Sequence, residues 1–298
     1  RRRLVGVLPL VLLAGLVTGC QTVQTTHGGV VGVDREQRMM VSASEMASAS
    51  AQSYQKILQE ARQKNALNRD PAQVERVRGV ARRLIPATGV FRPDAPSWKW
   101  EVNVLSSNEL NAWCMAGGKI AFYTGIIDRL QLTDDEIAAI MGHEIAHALR
   151  EHARERASQT MMTNIGVSVL GAVLGAGQMG TDLIGTVAKV SFQLPNSREH
   201  ETEADRMGVE LAARGGYDPR AAISLWQKMA KASTRGPPQW LSTHPSNETR
   251  QGDLHVVRAT GKLASLEEKL AHEEGITTPT SAIGHTRWAT HGVPAERN

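Results

Sequence analysis

The stretch Met141–Arg150 reads MGHEIAHALR and holds His143, Glu144 and His147 in the order H-E-x-x-H. A helix turns about 100° per residue, so two histidines four apart lie about 40° from each other and roughly 6 Å along the axis. Two imidazoles on one helix face can grip one metal ion, and Glu144 beside them can act as general base toward water. Upstream, Thr133-Asp134-Asp135-Glu136 forms a capping box, which fixes where this helix starts and puts acids at the positive end of its dipole. Ile137, Ile140, Met141 and Ile145 give the helix apolar faces that bury it.

Five residues match such a pattern easily, so the site needs a third ligand. His152 lies five residues past His147, about 140° around a continuing helix and off the metal face. The longer H-E-x-x-H-x-x-G-x-x-H pattern is absent, which excludes a metzincin. A later helix carries Glu201-Thr202-Glu203-Ala204-Asp205, with Glu201 and Asp205 on one face. Glu201 can bind zinc while Asp205 accepts an N–H from a ligating histidine and so fixes its tautomer. Glu203 points elsewhere, as a solvated acid would.

The chain has 298 residues, enough for one large domain or two small ones, and its apolar content of 41% supports a real core. Aromatics make up only 4%, so the core is aliphatic and alanine-rich, which favours helices. The formal net charge is +4, but three of the basic residues are Arg1, Arg2 and Arg3. Without them 31 basic residues face 30 acidic ones, and charge implies no nucleic-acid partner.

Those arginines, the apolar run Leu4–Leu16 and Val17-Thr18-Gly19-Cys20 resemble a bacterial lipoprotein signal. The resemblance implies a signal peptide over residues 1–19, lipidation of Cys20 and, because Gln21 follows, a lipid anchor on the periplasmic face of the outer membrane. Residues 20–41, polar and glycine-containing, read as a flexible tether. Cys114, left without a partner, reads as a core residue and not as a nucleophile or ligand.

The pattern from residue 42 predicts one helix over Ser42–Leu67 and another from Pro71, after the Asp70 cap, to Leu84. Strands follow at Trp98–Leu105, Ala112–Met115 and Lys119–Tyr123, the latter two joined at Gly117-Gly118, then a short helix over Thr124–Leu130. Met161–Val190 is either two core helices joined near Gly175–Gly180 or an amphipathic flap, and its polar residues argue against a transmembrane helix. A helix capped by Asn196 or Ser197 runs to Arg214, where Gly215-Gly216 ends it, and another runs from Asp218-Pro219 to about Lys231. The fold class is α+β and mostly helical: a zincin-like metallopeptidase domain over residues 42–255, with an active-site helix and a small antiparallel sheet.

These motifs together resemble the HtpX-like and CAAX-prenyl-protease-like family of zinc metallopeptidases, in its periplasmic lipoprotein branch. The resemblance runs through Asn111-Ala112 to Tyr123-Thr124-Gly125, GHEIAHALREHARER, SREHETEADRMGVELAARGGYDP and STHPSNETR. It implies one zinc held by His143, His147 and Glu201, with Glu144 as general base and Asp205 as the acid behind a ligand. His244 is either close to the zinc, as an occluding fourth ligand or an oxyanion stabiliser, or a packing residue set by Pro245. Arg250 reads as a structural ion pair. The implied activity is endopeptidic cleavage of unfolded or misassembled envelope proteins, with the strand ending at Tyr123 as a substrate-pairing edge strand. The outer-membrane assembly machinery is an implied partner. The competing reading is a chaperone-like assembly factor that keeps zinc but cleaves little.

Residues 256–298 differ in character. His285–Gly292, HTRWATHG, resembles part of the glutaminase domain of glucosamine–fructose-6-phosphate aminotransferase, with Arg287, Trp288 and His291 as the counterparts. That domain needs an N-terminal cysteine nucleophile and far more sheet than some forty residues can build. The tail therefore reads as a fragment that is no independent domain.

Overall fold

The computed structural model describes residues 21–173, 183–192, 194–232 and 239–244. The signal segment with Cys20, the Gly175–Gly180 joint, Arg250 and the tail 256–298 lie outside them. No helix among the described residues is long and apolar enough to cross a membrane.

Helix α1 spans Ala43–Gln63 and starts at a capping box in which Ser42 and Glu45 satisfy each other's backbone N–H. It ends short of Leu67 because Asn65 turns left-handed, with φ 52°. Helix α2, Pro71–Leu84, follows the Asp70 cap and buries Val74, Val77, Val80, Ala81 and Leu84. Two 3-10 turns at Ile85–Val90 and Ala95–Ser97 lead into the sheet, so strand β3 begins only at Glu101 and runs to Leu105.

Strands β4, Ala112–Met115, and β5, Lys119–Tyr123, form the expected antiparallel pair. Gly117 and Gly118, both at φ 77°, supply the turn, a conformation that suits glycine. The sheet is mixed and not purely antiparallel: two reversals leave β5 parallel to β3, in the order β3-β5-β4. The strand at Tyr123 is therefore central, and β4 takes the edge instead. Alternate side chains face opposite layers. Leu105, Trp113, Met115 and Ala121 pack under Tyr54 and Leu58 of α1. Val104, Ala112, Ile120 and Phe122 join the main core with α2 and the site helix.

After α3, Thr124–Arg129, the site helix α4 spans Asp134–Leu149 from its Thr133/Glu136 capping box. It does not run on through His152. Arg150 caps it, Glu151 turns left-handed at φ 53°, and α5 starts afresh over His152–Val173. Helix α6 covers Leu183–Phe192. Helix α7, Arg198–Arg214, is capped by Ser197. It closes with Gly216 N–H bonded to Ala213 C=O and Tyr217 N–H bonded to Ala212 C=O, a Schellman ending. Helix α8, Ala221–Ala232, begins just after Pro219, and α9 is the short Gln239–Thr243.

Helices α4 and α7 touch backbone to backbone. A Cβ on Gly142 would fall 2.7 Å from the Gly208 carbonyl oxygen, and one on Gly208 would fall 2.7 Å from the His143 nitrogen. This approach needs two glycines, and it brings the Glu201/Asp205 face of α7 against the histidine face of α4.

The stretch from residue 21 to 41 is no flexible tether. Strands β1, Gln21–Val23, and β2, Gln37–Met39, pair antiparallel, and Val31, Val33, Met39 and Val41 are buried. Its polar groups find protein partners in place of water. Glu210 accepts from the backbone N–H groups of Val30 and Val31 at 3.0 and 3.2 Å. Arg35 donates to Glu155 and Glu203, both at 2.9 Å.

Candidate metal centre

Helix α4 presents His143 and His147 one turn apart, with ring centroids 4.7 Å apart. Across the glycine contact, α7 adds Glu201, and the end of α9 adds His244. One ligand atom from each of these four buried residues lies within 4.8 Å of all the others. Glu201 oxygens stand 3.5 Å from His143 Nε2 and 3.4 Å from His147 Nε2. His244 Nδ1 is 3.0 Å from Glu201 Oε1 and 3.2 Å from His143 Nε2. Three imidazole nitrogens and one carboxylate oxygen form the donor set that zinc takes. Cys114 is outside it: half-buried, it packs against the main core and also lines the cleft. Burial first, then the charge of Glu144, pushes its thiol well above the ordinary range, so it stays protonated.

Each helix histidine has its other ring nitrogen held. Asp205 Oδ1 lies 2.9 Å from His143 Nδ1, leaving Nε2 free for a metal. His147 Nδ1 lies 2.8 Å from His152 Nδ1, and His152 Nε2 lies 2.9 Å from Glu203 Oε2. Glu203 is buried in turn against the fully buried Arg150, at 3.0 Å. Glu203 thus points away from the metal position, as its place on the helix predicts, but into a buried charge network and not into solvent.

The electrostatics follow from these partners. Burial lowers His143, but its hydrogen bonds to the Asp205 and Glu201 carboxylates outweigh that and hold the imidazole up at about 10. Burial pushes His147 and His152 well down. Burial also presses Glu201 upward, yet the surrounding histidines, His244 first, draw it far below the carboxylate range.

Glu144 is buried beside the four ligands, and Trp240 Nε1–H donates to its Oε1 at 2.6 Å. The Trp240 ring stacks on His244, centroids 4.8 Å apart. A cavity of about 470 Å³ opens onto the site, walled by β4 from Ala112 to Met115 and by Glu144, His147, Asn196 and His244. Trp240, His152 and Asn196 were not among the residues expected at the site. The W-x-x-x-H spacing of Trp240 and His244 puts both on one helical face, a signal that was there to read.

Residues 71–256 match the Peptidase family M48 profile. The chain is 37% identical over 151 residues to "Mitochondrial metalloendopeptidase OMA1" of Arabidopsis thaliana, covering 51% of this chain and 30% of that protein. It is 28% identical over 281 residues to the protein of the same name in Schizosaccharomyces pombe, covering 93% of this chain and 76% of the relative. It is also 28% identical over 200 residues to "Beta-barrel assembly-enhancing protease" of Escherichia coli O157:H7, covering 62% of this chain and 38% of that protein. The chain thus spans well under half of the plant and bacterial relatives.

Proposed function

Because the chain belongs to peptidase family M48 and carries a zinc metalloendopeptidase centre, we propose that it hydrolyses peptide bonds of unfolded or misassembled proteins in the bacterial cell envelope. The observation that carries this is the convergence of His143, His147 and Glu201 around one point with Glu144 beside it in the same cleft. Zinc held there supplies Lewis-acid polarisation of the scissile carbonyl and acidifies the attacking water. Glu144 takes the proton of that water on its carboxylate and hands it to the leaving amine. Asp205 and His152 keep the ligating imidazoles turned toward the metal. Edge strand β4, along the cavity, pairs with an extended substrate through backbone hydrogen bonds, which reads little side-chain sequence. That suits a protease for unfolded chains.

The bacterial relative named for β-barrel assembly supports an envelope substrate and a link to the outer-membrane assembly machinery. The signal-like N-terminus supports a lipid on Cys20 and a periplasmic, outer-membrane-anchored enzyme. Strand β1 opens at Gln21, so such a lipid would hold the catalytic domain close against the bilayer.

One observation favours the chaperone-like alternative. His244 Nδ1 lies among the candidate ligand atoms and Trp240 donates to Glu144, an arrangement in which His244 would occlude the fourth position and Glu144 is engaged before substrate arrives. Both readings are separated by one experiment on the zinc-loaded full chain, with casein and an unfolded outer-membrane barrel as substrates. Cleavage is expected to stop with a chelator and return with zinc. Glu144→Gln is expected to slow it about 10²–10⁴-fold. Equal cleavage by both proteins would sink the peptidase reading. Barrel binding without any cleavage by the unmutated protein would establish the assembly-factor reading.

A further inference from the structure

Arg156 is a half-buried cation on the cleft wall, with two buried guanidinium nitrogens that the described residues leave unpaired. It stands one turn after His152 on α5, so the two share a helix face. It lines the same cavity as Glu144, His147, Asn196 and His244. Its Nη2 donates to the Val190 carbonyl of α6 at 2.5 Å. Its Nε and Nη1 are buried and have no hydrogen-bond partner among the described residues. Charged donors buried without acceptors are costly, and folded proteins keep few of them.

The nearby acids do not fill this gap. Glu201, Glu155 and Glu144 act on Arg156 through space, but each is committed elsewhere. Glu201 faces three histidines, Glu155 pairs with Arg35, Gln37 and His200, and Glu144 accepts from Trp240. Burial draws the guanidinium down to about 10, which still leaves it a cation at neutral pH. Asn196 Oδ1, on the same cavity wall, is a second buried polar atom without a partner, here an acceptor. A wall with unpartnered donors and an unpartnered acceptor just beneath its surface matches a peptide, which offers both.

Resting on the peptidase reading of this cleft, we propose that Arg156 forms a subsite that takes a carboxylate of the substrate peptide. The carboxylate comes either from an Asp or Glu side chain or from the C-terminus of the chain being degraded. Arginine suits the task, because its several N–H donors can be divided between a structural carbonyl and a ligand. The subsite adds selectivity to a cleft whose β4 edge reads only backbone.

Binding tests it independently of cleavage. The zinc-loaded full chain carrying Glu144→Gln is titrated by fluorescence anisotropy with labelled Ala/Gly/Ser peptides of about ten residues. One set carries a single Glu at successive positions with an amidated end. A second carries Gln in its place, and a third carries Gln with a free C-terminal carboxylate. The Glu or the free-acid peptide is expected to bind at least about tenfold tighter than its neutral twin at one position, and which of them does so identifies the source. Adding Arg156→Met collapses that ratio to near one, whereas Arg156→Lys keeps part of it. Equal affinity for charged and neutral peptides throughout overturns the subsite without any Arg156 variant having to fold. A preference that survives Arg156→Met overturns it as well. A preference in binding with no cleavage by the unmutated enzyme keeps the subsite and removes the peptidase reading.

Discussion

His147 offers Nε2 to the metal position only while its Nδ1 proton is held elsewhere, and the holder is His152, 2.8 Å away. His147 Nδ1–H donates to His152 Nδ1, and His152 Nε2–H donates to Glu203, which Arg150 fixes from behind. This chain of donors works with both imidazoles neutral, and burial lowers both. His152→Phe should therefore weaken zinc binding about 10–100-fold, read by competition with a chelator. His152→Gln should restore part of it, since an amide can accept from one neighbour and donate to the other. Unchanged zinc affinity in His152→Phe would refute the role. The spacing sets His152 off the metal face of a continuous helix, and His152 does lie outside the four-residue cluster. The left-handed turn at Glu151 breaks that helix and swings His152 behind His147. A ligand's second nitrogen needs a partner as much as its first needs a metal, and a spacing rule for ligands alone passes over it.

At the scale of elements, H-E-x-x-H, the capping box, E-x-x-A-D and the double glycine were all legible, because each depends on spacing within one segment. What depends on two segments meeting was not. The mixed sheet order, which makes β5 central and leaves β4 at an edge, is set by tertiary pairing. The same holds for α9, whose Trp240 rests between Trp226 and His244 and whose Thr243 carbonyl accepts from Asn196 N–H at 2.9 Å. These contacts hold His244 in the ligand cluster, which favours the occluding role over oxyanion stabilisation. On the proposed ligand set, His244→Ala would leave His143, His147 and Glu201 and clear the fourth position. Casein cleavage by that variant should rise several-fold at unchanged zinc content. A fall of about 10²–10³-fold would instead assign His244 to the transition state.

Across the whole molecule, the segment from residue 21 to 41 ties the metal site to a buried ionic layer that no single motif announces. Polar and glycine-containing residues favour a tether when read alone. Here Arg35, Gln37 and the backbone at Val30 are complements to acids on α5 and α7 more than a hundred residues away. Glu155 is the centre of that layer. Burial presses its carboxyl upward, but hydrogen bonds from His200, Arg35 and Gln37 draw it well below its ordinary 4.5. The folded state therefore prefers the ionised form more strongly than the unfolded chain does. The resulting stability is fully present above about pH 5 and is lost as pH falls through 4.5 toward the lower folded value, because the unfolded chain takes up its proton first. Glu155→Gln should be less stable at pH 7 by about 1.5–3 kcal/mol, since it weakens the buried hydrogen bonds from Arg35, Gln37 and His200 while Arg35 keeps Glu203. Its stability should then decline less steeply than that of the unmutated protein below about pH 5, as urea unfolding at a series of pH values would show. Parallel acid limbs for the two proteins would mean that Glu155 does not carry the coupling. A loss at neutral pH with a flattened acid limb would establish that the N-terminal segment belongs to the catalytic domain energetically as well as in space.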